Sequence, residues 1–234
     1  MSGKTSHSFH YKESYPSSVK RVITNEIFLH SSDTPESLFP SSLSKVDTQS
    51  RFRHRDDISK CLIYTHSACA HNGRFNAHAA CSFVFSPDRN RGTVSFPLER
   101  RGPSGERHRI TNNRASLRAV IGALQYKEWN KDSIETIVIG SSSSYVVWGA
   151  TQWVRTWTQN GWKTSEGNDV LNQDLWMCLL KEFEHWSNIG VAVEFLLVPE
   201  KSGGVMHQRA KIAACATAAE GEVPDDFEMV TESP

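Results

Sequence analysis

The 234-residue chain has no excess of either charge, with 26 Lys and Arg standing against 26 Asp and Glu. A protein that grips polyanions through its overall charge is thereby excluded, and any such surface has to come from local clustering. Long apolar runs are also absent. Nothing approaches the ~20 residues that span a bilayer, and the first residues lack the apolar core of a secretory signal. A membrane is therefore not expected as a partner. Cysteines are few: Cys61, Cys69, Cys81, Cys178 and Cys215 show no CxxC spacing and cannot all pair. That excludes both a disulfide framework and a thiolate zinc site, so the expectation is reduced thiols in an intracellular protein, nuclear or cytoplasmic. No internal repeat is present.

What is there divides into three parts. Residues 1–57 are rich in Ser, His and Lys and read as a poorly ordered arm, with one apolar piece (Val22-Ile23 to Ile27-Phe28-Leu29) expected to dock as a strand. Residues 58–220 carry the periodic segments of one domain, and 221–234 form an acidic tail expected to trail off. Short apolar runs at 60–66, 77–85 and 93–98, separated by Asn72-Gly73 and Pro87-Asp88, predict an antiparallel meander. Thr111-Asn112-Asn113 offers a cap to a helix with apolar residues at 115, 117, 119, 120, 123 and 124. Strands at 134–139 and 191–198 alternate with helices from Tyr145, over 168–186 and over 206–219. The pattern predicts an α/β fold with a five-stranded mixed sheet, three antiparallel strands then two parallel, and helices on both faces.

One stretch is unusual, QWVRTWTQNGWKTS from Gln152. Trp153 and Trp157 are four apart and lie one above the other on a helix; Asn160-Gly161 then ends it. By itself this reads as a pair of core rings. Together with IYTHSACAHNG from Ile63, ITNNRASLRAV from Ile110 and VLNQDLW from Val170, however, the chain resembles the type 1 ribonuclease H family across its whole core.

The resemblance implies a ribonuclease H-like fold and cleavage of the RNA strand of an RNA/DNA hybrid. In that family, water attacks the phosphodiester between two Mg2+ ions held by four carboxylates. At the positions matching those carboxylates stand His66, Ser116, Ser142 and either His207 or Lys211, according to the alignment of the loop after Pro199. The family's loop histidine has Lys201 as its nearest candidate. An imidazole is a poor Mg2+ ligand, a hydroxyl a weak one, and an ammonium repels the ion. The family's Mg2+ sites are therefore expected to be lost, leaving no cofactor; Glu200 alone, a single acid near a strand end, does not hold two ions.

The binding side implied by the resemblance reads differently. Arg109, Thr111 and Asn172 match a pocket for a DNA phosphate. Trp153 and Trp157 match rings that stack on deoxyribose, with Ser165 beside them, and Asn72, Asn112 and Asn113 match amides that reach the minor groove and the RNA 2′-hydroxyls. Arg100, Arg101 and Arg107 add local positive charge. The expected protein is a catalytically inactive pseudoenzyme that binds RNA/DNA hybrid or a related duplex. The alternatives are a protein-interaction scaffold, engaging a partner through the arm or tail, and a residual hybrid ribonuclease with atypical ligands.

Overall fold

A computed structural model describes residues 24–27, 29, 33–41, 50–200 and 203–232. Val22, Ile23, Phe28, Lys201 and most of the expected arm lie outside these residues. The chain runs β1 (Asn25–Ile27), α1 (Pro35–Leu38), β2 (Phe52–Arg53), β3 (Lys60–Ala70), β4 (His78–Val84), β5 (Thr93–Pro97) and α2 (Asn112–Gln125). It continues through β6 (Thr136–Ser141), α3 (Ser144–Trp148), α4 (Val154–Gln159), α5 (Gln173–Asn188), β7 (Ala192–Leu197) and α6 (Gly204–Ala219).

The five expected strands are all present. β3, β4 and β5 form the antiparallel meander, while β6 and β7 run parallel to β3. Two short segments raise the sheet to seven strands in the order β1-β7-β6-β3-β4-β5, with β2 on β3. β1 extends the far edge by pairing in parallel with Glu194–Leu196. β2 pairs Phe52 with Leu62 and Arg53 with Cys61, ahead of the point where β4 begins its own pairing at Tyr64.

Alternation along β3 decides which helix lies on which face. Cys61 and Ile63 join Ile137, Ile139 and Phe195 beneath α2 and α5, whereas Leu62 and Tyr64 join Val138 and Leu196 beneath α6 and the N-terminal Phe39. Burial on both faces explains why the run at 134–139 is almost wholly apolar. Thr111 sits extended at the start of α2, and its hydroxyl accepts a hydrogen bond from Arg114 N at 3.2 Å, as its cap position predicts.

Between α3 and α4 the helix widens into a π turn, Gly149–Trp153. The turn begins at a close approach: a Cβ on Gly149 would fall 2.2 Å from the Trp176 ring, so only glycine lets the helix come this near it. The tail does not trail off. Phe227 and Val230 pack against the main core, and Glu232 N donates to Tyr126 O at 2.8 Å. Val223 packs against the cluster of Ala77, Leu98 and Ile110, so three apolar anchors lay the otherwise acidic segment down. No helix among the described residues is long and apolar enough to cross a membrane.

Candidate functional site

The end of β6, the middle of β3 and one side of α6 open onto a cleft of about 560 Å³. His66, Ser116, Ser142 and Lys211 all line it. His207, one helical turn before Lys211, is instead fully buried beside His66, with ring centroids 5.1 Å apart. The fold thus brings four of the five candidate positions to one cavity and puts the fifth beneath it.

Two of the hydroxyls there are engaged with each other. Ser67 Oγ and Ser116 Oγ lie 2.7 Å apart, with Asn112 Oδ1 3.1 Å from the first and Asn112 O 2.9 Å from the second, so two protons serve three contacts. His66 Nδ1 lies 2.8 Å from Ser67 O. A carbonyl only accepts, so Nδ1 carries the proton and Nε2 presents a lone pair, buried and without a partner among the described residues. Burial lowers the His66 pKa. Burial, then the charges of His66 and Lys211, pushes His207 down to about 4. Among the described residues Glu200 is the one carboxylate lining the cleft, and it already accepts from Lys211 Nζ at 3.0 Å, which holds its pKa low. Among the described residues, no group of three or more His, Cys, Asp or Glu side chains is placed to hold a metal ion.

Away from the cleft, Thr111 at the head of α2 and Asn172 at the head of α5 are tied together from below. Arg114, one turn into α2, makes two hydrogen bonds to Asp174 of α5, at 2.9 and 2.6 Å, and reaches Asn172 Oδ1 at 3.5 Å. Asn172 adopts the left-handed conformation (φ 58°), and its Nδ2 donates to the Tyr145 hydroxyl at 3.2 Å. The same hydroxyl accepts from Trp176 Nε1 at 2.9 Å and donates to Leu171 O at 3.2 Å. Arg109 is exposed and makes no hydrogen bond or ion pair among the described residues. Arg114, Asp174 and Tyr145 did not stand out in the sequence. A buried arginine on the apolar face of α2 and an acid in the first turn of α5 were the available signals.

Tyr145 also joins this pocket to the tryptophans, since its ring centroid is 6.4 Å from that of Trp153. Trp153 and Trp157 are tilted at 52° with centroids 5.8 Å apart, and Trp157 lies 5.5 Å from buried Trp176. Both are half-buried, and Trp157 packs against the main core. Trp162 returns to within 6.4 Å of Trp157, and Ser165 is exposed. Asn72, Asn112 and Asn113 are exposed, Asn112 lines the cleft, and Asn72 Oδ1 accepts from Asn112 N at 3.0 Å.

The expected positive charge of Arg100, Arg101 and Arg107 is not free. Asp226 pairs with Arg101 at 2.7 Å, and Asp225 pairs with Arg107 at 3.0 Å and lies 3.9 Å from Arg100. The sequence separates these partners by more than a hundred residues, so only the folded tail reveals the neutralisation.

A family model for RNase H matches residues 59–195. Ribonuclease H1 of Rattus norvegicus is 30% identical over 162 residues, covering 69% of this chain and 51% of the relative. Ribonuclease H of Treponema pallidum subsp. pallidum is 47% identical over 76 residues, covering 32% of this chain and 44% of the relative. The chain thus spans about half the length of the curated relatives it matches. A solved structure of LC9-RNase H1, a type 1 RNase H with the type 2 active-site motif, is 25% identical and has a TM-score of 0.46, over 70% of this chain and 74% of that one.

Proposed function

The chain belongs to the ribonuclease H family, and from that premise we propose that it binds RNA/DNA hybrid, or a closely related duplex, without cutting it. The observation that carries the reading is the state of the cleft. Among the described residues its one carboxylate, Glu200, is bonded to Lys211, and the other polar side chains there are hydroxyls, an amide, two imidazoles and two thiols. Such a donor set does not fit a pair of Mg2+ ions, which require several free oxygen ligands of full or partial negative charge. The two-metal route is therefore closed to these residues.

The groups expected to hold the strands are in better order. Arg109 is exposed two residues before Thr111, and Thr111 and Asn172 are positioned by Arg114, Asp174 and Tyr145. The half-exposed faces of Trp153 and Trp157 supply flat surfaces for sugar rings, which favours the strand without 2′-hydroxyls. Binding by such contacts needs no metal and weakens with salt as phosphate contacts do.

A mobility shift with labelled hybrid in EDTA tests this, run beside double-stranded RNA and double-stranded DNA. The expected result is a shift with hybrid that fades as salt rises. No shift at any ionic strength overturns the reading and leaves a protein-interaction scaffold. Cleavage in Mg2+ or Mn2+ that is abolished by His66→Ala establishes a nuclease instead.

A further inference from the structure

Residues 100–108 fold into a small hairpin, with His108 N donating to Arg100 O at 2.9 Å and Arg101 bridged to Arg107. The tail lies along its outer edge. Arg100 N donates to Pro224 O at 2.8 Å and Arg101 N to Asp225 O at 2.9 Å, so two main-chain hydrogen bonds pin the tail to the hairpin. Its carboxylates then meet the hairpin's guanidinium groups, Asp226 at Arg101 and Asp225 at Arg107.

The hairpin is also attached to the candidate phosphate pocket. A Cβ on Gly102 would sit 2.0 Å from Asp174 Oδ2 and 2.7 Å from Arg114 Nη2, the pair that positions Asn172. Gly102, next to Arg101, and His108, next to Arg107, thus both lie against the Arg114–Asp174 pair that positions Asn172.

From this juxtaposition we propose that Arg101 and Arg107 form a second backbone-phosphate site, which the acidic tail covers in cis and a bound duplex uncovers. The proposal rests on the duplex-binding reading above.

The chemistry of the contact suits exchange. Both ion pairs are about half-exposed, with Arg101 39% and Arg107 59% accessible, and such pairs contribute little to stability. A duplex, with its dense row of phosphates, outcompetes two isolated carboxylates for the same guanidinium groups. The tail is held more firmly further along. Arg118 donates to Glu228 O at 2.6 Å and lies over the Phe227 ring, and Val230 packs on the core. Gly221, at φ 75°, separates α6 from the tail and permits the turn that lays it down. Val223 is seated on the other side, so the Asp225 and Asp226 side chains can leave the guanidinium groups while Val223, Phe227 and Val230 stay in place.

The test uses the full chain with Asp225→Asn and Asp226→Asn together, which keeps those apolar anchors, and RNA/DNA hybrid as probe. The expected result is hybrid affinity raised about tenfold at low salt, and a salt slope steeper by roughly two phosphate contacts, at about 0.9 per contact. Adding Arg101→Ala and Arg107→Ala should abolish that gain, while the same two substitutions in the otherwise unaltered chain should change affinity much less. If the unaltered chain binds hybrid but the asparagine variant shows the same affinity and slope, the covered site is refuted and the duplex-binding reading stands. If neither protein binds hybrid, both fall.

Discussion

Arg114 of α2 clasps Asp174 of α5 through both terminal guanidinium nitrogens, Nη1 and Nη2, with only 1% of the arginine side chain exposed. The pair joins the heads of two helices that meet on the same face of the sheet. It also fixes the distance between Thr111 and Asn172, which belong to those same heads. A buried pair of this kind is costly to break from one side, because the remaining charge is stranded.

Replacing Asp174 by Asn should therefore destabilise the fold by about 3 kcal/mol and loosen Asn172. Urea denaturation reads the first effect. Hybrid affinity of the still-folded fraction reads the second, and is expected to fall further than in a surface control such as Glu166→Gln. Unchanged stability would mean that the pair is not buried as described.

The tryptophans should report binding directly. Trp129, Trp176 and Trp186 are buried, so their emission has little reason to respond to a ligand. Trp153 and Trp157 are each half-buried, and stacking on a sugar or base should quench them. Titration with hybrid is expected to lower intrinsic fluorescence, and the Trp153→Phe, Trp157→Phe variant to lose most of that change with its melting temperature lowered by only a few degrees. Quenching that persists in the variant would locate the contact elsewhere.

Acid should weaken the fold through His207. Its folded pKa, about 4, lies below the ordinary histidine value of 6.5, so between those pH values the unfolded chain binds more protons than the folded one. Stability is accordingly expected to be full above about pH 6.5 and to decline as pH falls toward 4, by on the order of 2 kcal/mol. His66 is shifted in the same direction by burial. Denaturation curves at pH 7, 5.5 and 4.5 measure this, and His207→Gln should flatten the decline.

Reinstalling carboxylates tests whether the cleft is an emptied metal centre. The combination His66→Asp, Ser116→Glu, Ser142→Asp and Lys211→Asp should bind Mg2+ by calorimetry and cleave the RNA strand of labelled hybrid. The same set with His207→Asp in place of Lys211→Asp should do neither, because His207 lies beneath the cleft and Lys211 lines it. Magnesium binding by neither combination would show that these positions never converge as the fold implies.

The strands and long helices were legible from apolar periodicity, and Thr111 could be read as a cap because capping is a matter of nearest neighbours in sequence. The close approach of Gly149 at the π turn was not, since the ring it meets, Trp176, belongs to another helix. Nor was β2, whose two residues pair with β3 only because β4 leaves that stretch of edge open.

Local order along the chain determined which segments would be strand or helix, and which residues stand at the positions matching the family's acids. Those are properties of side-chain type and short-range spacing, and they survive without any knowledge of the third dimension. Tertiary structure alone decided that Lys211, and not His207, faces the cleft, that Arg114 and Asp174 hold the two helix heads together, and that the tail's acids lie on the arginines of a distant hairpin. Each depends on groups brought together from separate parts of the chain, where packing and charge set the neighbour and sequence distance says nothing.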